Sequence, residues 1–226
     1  MSDITFAMTP IVPTGINIAS LRGRLRKELH DEDEAAYRWV DSVLDRHLTR
    51  ATRELSTALP REQKTTLMTT PGSRDLSTAE LVDLVRVEAV EFPPGQWPPA
   101  FVPFSLFGSN LTLLIDGAPA AVQPVAVYWG RLHSLDTNFS TLPPVAEDVV
   151  VTGAAAYAAL EWASFATNRA NVAGSAAFEN YRTWGEERLQ QFRESVRLFG
   201  RDARVRNATL YQPARTTTRA TVQWPG

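Results

Sequence analysis

The sequence predicts an α+β fold in which helices at both ends of the chain flank a β-rich middle. Apolar residues recur at the three- and four-residue spacing of a helix face before Pro60 and again after Ala146. Between residues 64 and 142 this period gives way to short strand-like runs separated by turn residues. The most economical arrangement is a helical bundle built from the N- and C-terminal helix pairs, with a β-rich insertion and an extended C-terminal arm.

Two amphipathic helices are predicted in the N-terminal part. The first has an apolar face made of Ile18, Leu21, Leu25 and Leu29. The second has one made of Leu44, Leu48, Ala51, Leu55 and Leu59. Asp41 is predicted to be the N-cap of the second helix, because its carboxylate can accept hydrogen bonds from the free amides of the first turn. Pro60 is predicted to end that helix, since proline has no amide hydrogen to donate.

Four runs in the middle of the chain have the composition of β-strands: Leu81–Phe92, Phe101–Phe107, Asn110–Ile115 and Val122–Trp129. Asp116-Gly117 lies between the last two runs and predicts a hairpin-type turn there. Pro103 and Pro124 cannot donate a hydrogen bond to a neighbouring strand, so they predict that their strands lie at sheet edges.

The helical period returns in an alanine-rich stretch from 146 to 170 and in a second stripe after Gly174. Alanine favours helix and lets another backbone approach closely. The second stripe consists of Phe178, Tyr181, Gly185, Leu189, Phe192, Val196 and Phe199. Gly200 is predicted to cap this last helix at its C-terminus.

These boundaries divide the chain into a helical bundle (1–61 and 143–200), a β-rich insertion (62–142) and an extended docking arm (201–226). The arm contains five arginines against a single acid, Asp202. It is too polar to build a core of its own, so we expect it to order on a partner surface. The predicted partner-binding residues are Arg201, Arg204, Arg206, Arg215, Arg219 and Trp224.

Composition excludes several classes of function. The formal net charge is −2 over 226 residues, which is not the balance of a general nucleic-acid binder. The sequence has no cysteine, so disulfides, thiolate catalysis and cysteine-bound zinc are ruled out. No apolar run approaches the roughly 18 residues of a membrane span. The N-terminal residues lack the basic start and apolar centre of a signal peptide.

The sequence shows no motif for catalysis or cofactor binding. It has no phosphate-binding loop, no dinucleotide-binding glycine pattern and no nucleophile elbow. The histidines are His30, His47 and His133; they lack zinc-pair spacing, and His47 is predicted to be a packed or surface residue of its helix. The best metal candidate is the acidic stretch from His30 to Glu34, which we interpret as a solvated helix connection because it lacks the order of a calcium loop. We predict a protein that is not an enzyme and holds no cofactor or metal.

Two further interpretations are compatible with these residues. Trp97 and Trp129 could form a sugar-stacking surface, which would make the β-rich region a carbohydrate-binding or hydrolytic module. The arginine-rich arm could instead bind nucleic acid, which would make the chain a small helical regulator with salt-sensitive DNA binding. The alternation of basic residues at 22–27 with the acidic stretch is interpreted as a solvated surface or, alternatively, as a charged contact with a neighbouring subunit.

Several segments, taken in order, resemble those of head-to-tail adaptor (connector) proteins of tailed bacteriophages. The likeness covers roughly residues 18 to 212. The segments that carry it are SLRGRLR at 20–26, YRWVD at 37–41 followed by Leu44, TPGSRDL at 70–76, VPFSL at 102–106, VYWGRLH at 127–133 and GAAAYAAL at 153–160.

The resemblance implies a structural role rather than catalysis. It implies a homo-oligomeric ring, usually of twelve subunits, between the portal protein and the tail proteins. It also implies that genomic DNA passes through the ring without sequence-specific binding, and that terminal segments contact the portal. We therefore expect the protein in the neck of the virion, and in the host cytoplasm during assembly, with no membrane partner.

Overall fold

The computed structural model describes residues 16–167 and 175–211. Within these ranges four α-helices and six β-strands are present, so the chain is an α+β protein, as the sequence predicts. The helices are α1 (Ile18–Glu28), α2 (Asp41–Ala58), α3 (Pro144–Thr167) and α4 (Ser175–Leu210). The strands are β1 (Arg61–Met68), β2 (Asp75–Ser77), β3 (Leu84–Glu91), β4 (Phe104–Phe107), β5 (Asn110–Leu113) and β6 (Pro124–Arg131).

The chain divides into two compact units. The first, which we call the helical unit, comprises the described residues within Met1–Arg61 and Leu132–Arg201. The second, which we call the β unit, comprises those within Glu62–Arg131 and Asp202–Gly226. Residues 132–142, predicted as part of the β-rich insertion, belong here to the helical unit.

The apolar faces predicted for the first two helices form the core of the helical unit. Leu21 and Leu25 of α1 are fully buried. The buried residues of α2 include Leu44, Leu48, Ala51 and Leu55. Both helices contact α3, whose alanines let the backbones approach closely. The ring of Phe192 from α4 is fully buried in the same cluster.

The predicted N-cap of α2 is wrong. Asp41 is the first residue of the helix, and the cap is Val40, which makes no side-chain capping hydrogen bond. The Asp41 carboxylate does not cap because it accepts hydrogen bonds from Arg26, at 2.6 Å, and from Arg22. Asp41 therefore forms ion pairs with two arginines of α1 and makes no capping hydrogen bond within α2.

The predicted end of the last helix is also wrong. α4 continues through Gly200 to Leu210, so residues 201–210 are helical and not extended. Gly200 serves packing instead, because a Cβ atom there would lie 3.3 Å from the Cβ atom of Ala58 in α2. Gly153 of α3 plays the same role more strictly, since a Cβ atom there would lie 2.7 Å from the ring of Phe192.

The strands form two three-stranded sheets, with the orders β1-β6-β3 and β2-β5-β4. In the first sheet β3 and β6 are antiparallel, with Val90 opposite Val127. In the second sheet β4 and β5 form a hairpin in which Phe107 pairs with Asn110. Gly108 occupies the turn with a φ of 58°, in the left-handed region that favours glycine.

Two predictions for this region are wrong. Asp116-Gly117 does not close a hairpin, because β5 and β6 belong to different sheets. Pro124 is not at a sheet edge: it is the first residue of β6, the central strand of its sheet, where a missing amide is tolerated. Pro103, in contrast, directly precedes β4, which is an edge strand.

The β unit has a smaller core of its own. Its fully buried residues come from β3, β5 and β6, and include Val90, Leu111, Leu113, Val125 and Val127. Trp129 of β6 is part of this core, and its indole donates a hydrogen bond to Thr65 of β1 at 3.0 Å.

Candidate interaction surfaces

Asp31 turns the acidic stretch into a fixed loop. Its carboxylate accepts hydrogen bonds from Arg26 (2.7 Å) and from the backbone amides of Arg38 (2.7 Å) and Trp39 (3.3 Å). Asp31 and Arg26 are both buried, whereas Glu32, Asp33 and Glu34 are exposed. Among the described residues no group of three His, Asp or Glu side chains is arranged to hold a metal ion.

Arg26 also joins α1 to α2. It donates to Asp41, and its guanidinium lies 3.4 Å from the ring centre of Tyr37. The hydrogen bond from Arg26 holds the pKa of Asp41 below its usual value, with a further contribution from Arg22. A buried charge is tolerated only when it is paired and hydrogen-bonded, and Arg26 meets both conditions.

A cation–π cluster fixes the other end of this loop. The Arg38 guanidinium lies 5.6 Å from the ring centre of Trp39, 5.0 Å from Trp162 and 5.2 Å from Tyr181. Arg38 also donates a hydrogen bond to the hydroxyl of Tyr181. The loop from 31 to 39 is thereby attached to α3 and α4 as well as to α1.

Two polar pairs link α2 with α3. Nε2 of buried His47 lies 3.0 Å from a carboxylate oxygen of Glu161, although the angle is poor for a hydrogen bond. Burial lowers the pKa of His47, and the nearby arginines act in the same direction, although Glu161 opposes them. The hydroxyl of Tyr157 donates to Glu54, and burial together with that carboxylate raises the pKa of Tyr157 to about 12. His47 is therefore a packed residue, one of the two positions predicted for it.

His133 ties the connection after β6 to the end of α2. Its Nδ1 lies 2.8 Å from the carbonyl oxygen of Thr141, and its Nε2 lies 3.0 Å from that of Leu59. Its backbone amide donates to the hydroxyl of Ser56 at 3.1 Å. Burial lowers the pKa of His133, although the two carbonyl contacts oppose this. The histidine thus has a packing role that holds residues 59 and 133 close together.

In the β unit a buried carboxylate connects the three strands of one sheet. Glu91 of β3 accepts hydrogen bonds from the Gly95 amide and the Tyr128 hydroxyl, both at 2.8 Å. Lys64 of β1 donates to the same hydroxyl at 2.7 Å. Burial alone would raise the pKa of Glu91, but these hydrogen bonds and the charge of Lys64 outweigh burial and lower it.

Tyr211, directly after α4, belongs to the β unit. Its ring centre lies 5.3 Å from that of Phe101 and 5.4 Å from that of Tyr128. Phe101 and Tyr128 are themselves 5.8 Å apart, so the three rings form one cluster. The chain is therefore anchored up to residue 211, well past the end predicted for the last helix.

Two aromatic side chains of the β unit are almost completely exposed: Trp97 at 92% and Phe107 at 89%. Trp97 lies in the connection between β3 and β4, and Phe107 lies at the tip of the β4–β5 hairpin. Trp129 does not join them because it is buried, so the sugar-stacking pair considered from the sequence does not exist. The exposed position of Phe107 was not predicted from the sequence. The signal that could have indicated it is the turn pair Gly108-Ser109, which directly follows Phe107 and places it at a hairpin tip.

The predicted partner-binding residues are only partly within the described chain. Arg201 and Arg204 are exposed residues of α4. Arg206 lies in the same helix. Arg215, Arg219 and Trp224 lie outside the described residues. The structure therefore places the first three of these arginines on one helix.

Comparison with known proteins finds no matching family model and no significantly similar curated protein. Within the described residues no helix is long and apolar enough to cross a membrane.

Proposed function

We propose that this chain is a structural subunit of a phage neck, which forms a ring adaptor between the portal and the tail around a central DNA channel. It would act in the virion after assembly in the host cytoplasm, without catalysis or a cofactor. The sequence resemblance suggests this role. The observation that carries it is the exposure of Trp97 and Phe107 on the β unit.

Exposed aromatic rings favour an assembly role on physical grounds. Full burial of one large apolar side chain is worth about 1.5–3 kcal/mol. Tryptophan and other aromatic residues are also frequent centres of protein interfaces. A chain that leaves two such rings in water therefore gains stability when a partner covers them.

We further propose that the four helices form one bundle and that the β unit is an insertion in it. Its support is the contact of α1 and α2 with α3, together with Phe192 in the shared core. The chain leaves the helical unit after residue 61 and returns to it at residue 132. These two points lie close together, because Nε2 of His133 is 3.0 Å from the carbonyl oxygen of Leu59. A short linker that replaces residues 62–131 should leave a helical protein that melts cooperatively; a molten product would contradict the insertion.

The test of the adaptor function is direct binding to the portal protein of the same phage. We expect the parent chain to bind, and Trp97→Ser with Phe107→Ser to weaken binding about 100-fold, as loss of two interface anchors does. Val122→Ser is the matched control, because Val122 is an exposed apolar residue of the same unit. Equal binding by all three proteins would contradict the proposed surface.

The C-terminal residues are proposed to take part in the same docking: Arg201, Arg204, Arg206, Arg215, Arg219 and Trp224. Truncation should follow Tyr211 rather than Gly200, because Tyr211 packs against Phe101 and Tyr128. The truncated chain is expected to fold and to lose portal binding. Normal binding would show that residues after 211 are dispensable.

Carbohydrate binding by the β unit is the alternative function, and the exposed indole of Trp97 is the observation that favours it. Aromatic faces stack on sugar rings, but a single tryptophan offers one face only. A melting shift in the presence of oligosaccharides that is lost in Trp97→Ser would support this alternative over the adaptor.

A further inference from the structure

We propose that the exposed face of α4 in the helical unit binds the acidic loop of a second copy of this chain. We call Arg193, Arg197 and Arg201 the arginine stripe. They follow one another at four-residue spacing, so they share one side of the helix, and all are exposed. The acidic loop is Glu32, Asp33 and Glu34, which are also exposed. This contact rests on the proposed assembly function and specifies its subunit interface.

A groove along α4 provides the receiving surface. It is lined by Glu186, Leu189, Gln190, Arg193, Glu194 and Arg197. Half-buried Leu189 supplies an apolar floor, and the arginines supply paired N–H donors of the kind that carboxylates accept. Arg197 already pairs with Glu194 at 2.7 Å, but an exposed pair of this kind contributes little, so the guanidinium can exchange partners.

The acidic loop is held ready for such a contact. Asp31 fixes its beginning through Arg26, and Arg38 fixes its end among three aromatic rings. Binding therefore orders only the exposed carboxylate side chains, which keeps the entropy cost of association small.

Within one chain no ion pair joins the acidic loop to the arginine stripe among the described residues. Glu28, just before the loop, pairs instead with Arg188 at 2.8 Å. Arg197 and Arg201 lie about 14 and 20 Å beyond Arg188 along the helix axis, at 1.5 Å per residue. The opposite charges therefore meet between two copies, in a head-to-tail contact of the kind that can close a ring.

Glu186 and Glu194 lie in the same groove and repel carboxylates as well as phosphate groups, so we expect the acidic loop to contact the arginine stripe and not the glutamate side of the groove. Neither Glu32 nor Glu34 makes an ion pair with any residue that the structure describes, so these carboxylates can supply the complementary charge.

The test is sedimentation velocity of the full-length chain over a concentration series. The stripe-reversed variant carries Arg193→Glu with Arg197→Glu, and the loop-reversed variant carries Glu32→Arg with Glu34→Arg. Each is expected to weaken self-association at least about tenfold, because like charges then face each other. A chain with all four changes, and an equimolar mixture of the two reversed variants, should both recover association. Arg53→Glu and Glu80→Arg are exposed controls away from the groove and should associate like the parent.

Three outcomes would overturn the contact. The first is self-association of both reversed variants that equals that of the parent; loss of duplex DNA binding in the stripe-reversed variant would then assign the stripe to nucleic acid. The second is a chain with all four changes that associates as weakly as the two reversed variants. A parent chain that stays monomeric at every concentration would overturn the contact as well, whereas portal binding by that monomer would keep the adaptor function.

Discussion

The helical unit and the β unit differ in the aromatic side chains that they expose. Both units bury charged groups: Arg26 and Asp31 in the helical unit and Glu91 in the β unit. No aromatic side chain described in the helical unit is more than half exposed, whereas Trp97 and Phe107 of the β unit are almost completely exposed. We interpret the helical unit as the scaffold and the β unit as the part that offers apolar surface to a partner.

The largest effect is expected when the helical core is broken. Phe192→Asp should unfold the helical unit, because an unpaired buried carboxylate costs several kcal/mol against a total stability of about 5–15 kcal/mol. Leu48→Asp should do the same, since both side chains are fully buried. Circular dichroism during urea unfolding provides the measurement. Leu198→Asp is the control on the same helix: its side chain is 40% exposed, and a loss of fold there would contradict the placement of α4.

Close packing of α3 on α4 gives the next effect. Gly153→Ala should cost about 1–3 kcal/mol, because the new methyl group overlaps the Phe192 ring. Gly23→Ala is the matched control: no atom lies within 4 Å of a Cβ placed there, so it should stabilise α1 by up to about 1 kcal/mol. The measurement is the melting temperature of each variant. We expect it to fall for Gly153→Ala, where the methyl group overlaps a ring, and to rise for Gly23→Ala, where only helix propensity changes. Equal shifts in the same direction would contradict the packing role of Gly153.

In the β unit the strongest effect should come from its buried carboxylate. Glu91→Gln should cost about 1–3 kcal/mol, because hydrogen bonds to the charged group are weakened. The pKa of Glu91 is lowered in the folded chain, so its contribution is present above the unfolded carboxyl pKa and is lost as pH falls through the folded value. Hydrogen exchange of the β3 and β6 backbone amides measures the stability of the β unit by itself. We expect these amides to exchange faster in Glu91→Gln than in the parent. Faster exchange confined to α2 and α3 would contradict the assignment.

A smaller effect is expected from buried His47 and half-buried His133. The pKa values of His47 and His133 are lowered in the folded chain, so protonation favours the unfolded state. Stability should therefore be full above the unfolded histidine pKa of about 6.5 and should decline as pH falls below it. His47→Gln should make this loss of stability smaller. The part of the loss that comes from protonation of His133 should remain. Urea midpoints measured on both sides of that pH provide the test, and an unchanged decline in the variant would contradict it.

The helical part of the fold was largely predictable, and the β part was not. The faces of α1 and α2 follow from one periodic pattern, because burial on a helix repeats with the sequence. β1 was missed since Arg61–Met68 is mostly polar, and only Leu67 is buried. The sheet partners were missed because pairing is set by contacts distant in sequence. Gly200 was misinterpreted for the same reason: its contact with Ala58 lies on another helix.

The interaction surfaces were partly predictable. The exposed acids at 32–34 follow from composition, but the inward turn of Asp31 depends on Arg26 and on two backbone amides. The exposure of Trp97 and Phe107 could not be predicted, because aromatic residues in a β-rich region are usually core. The sequence pattern does not distinguish them from Trp129, which is buried.

The proposed function makes this chain a subunit of an assembly. The most direct test is electron microscopy of the purified chain mixed with the portal protein of the phage that the proposal implies. We expect closed rings of this chain stacked on the portal, which are lost when Trp97 and Phe107 are both replaced by serine. Isolated monomers beside bare portal rings would contradict it.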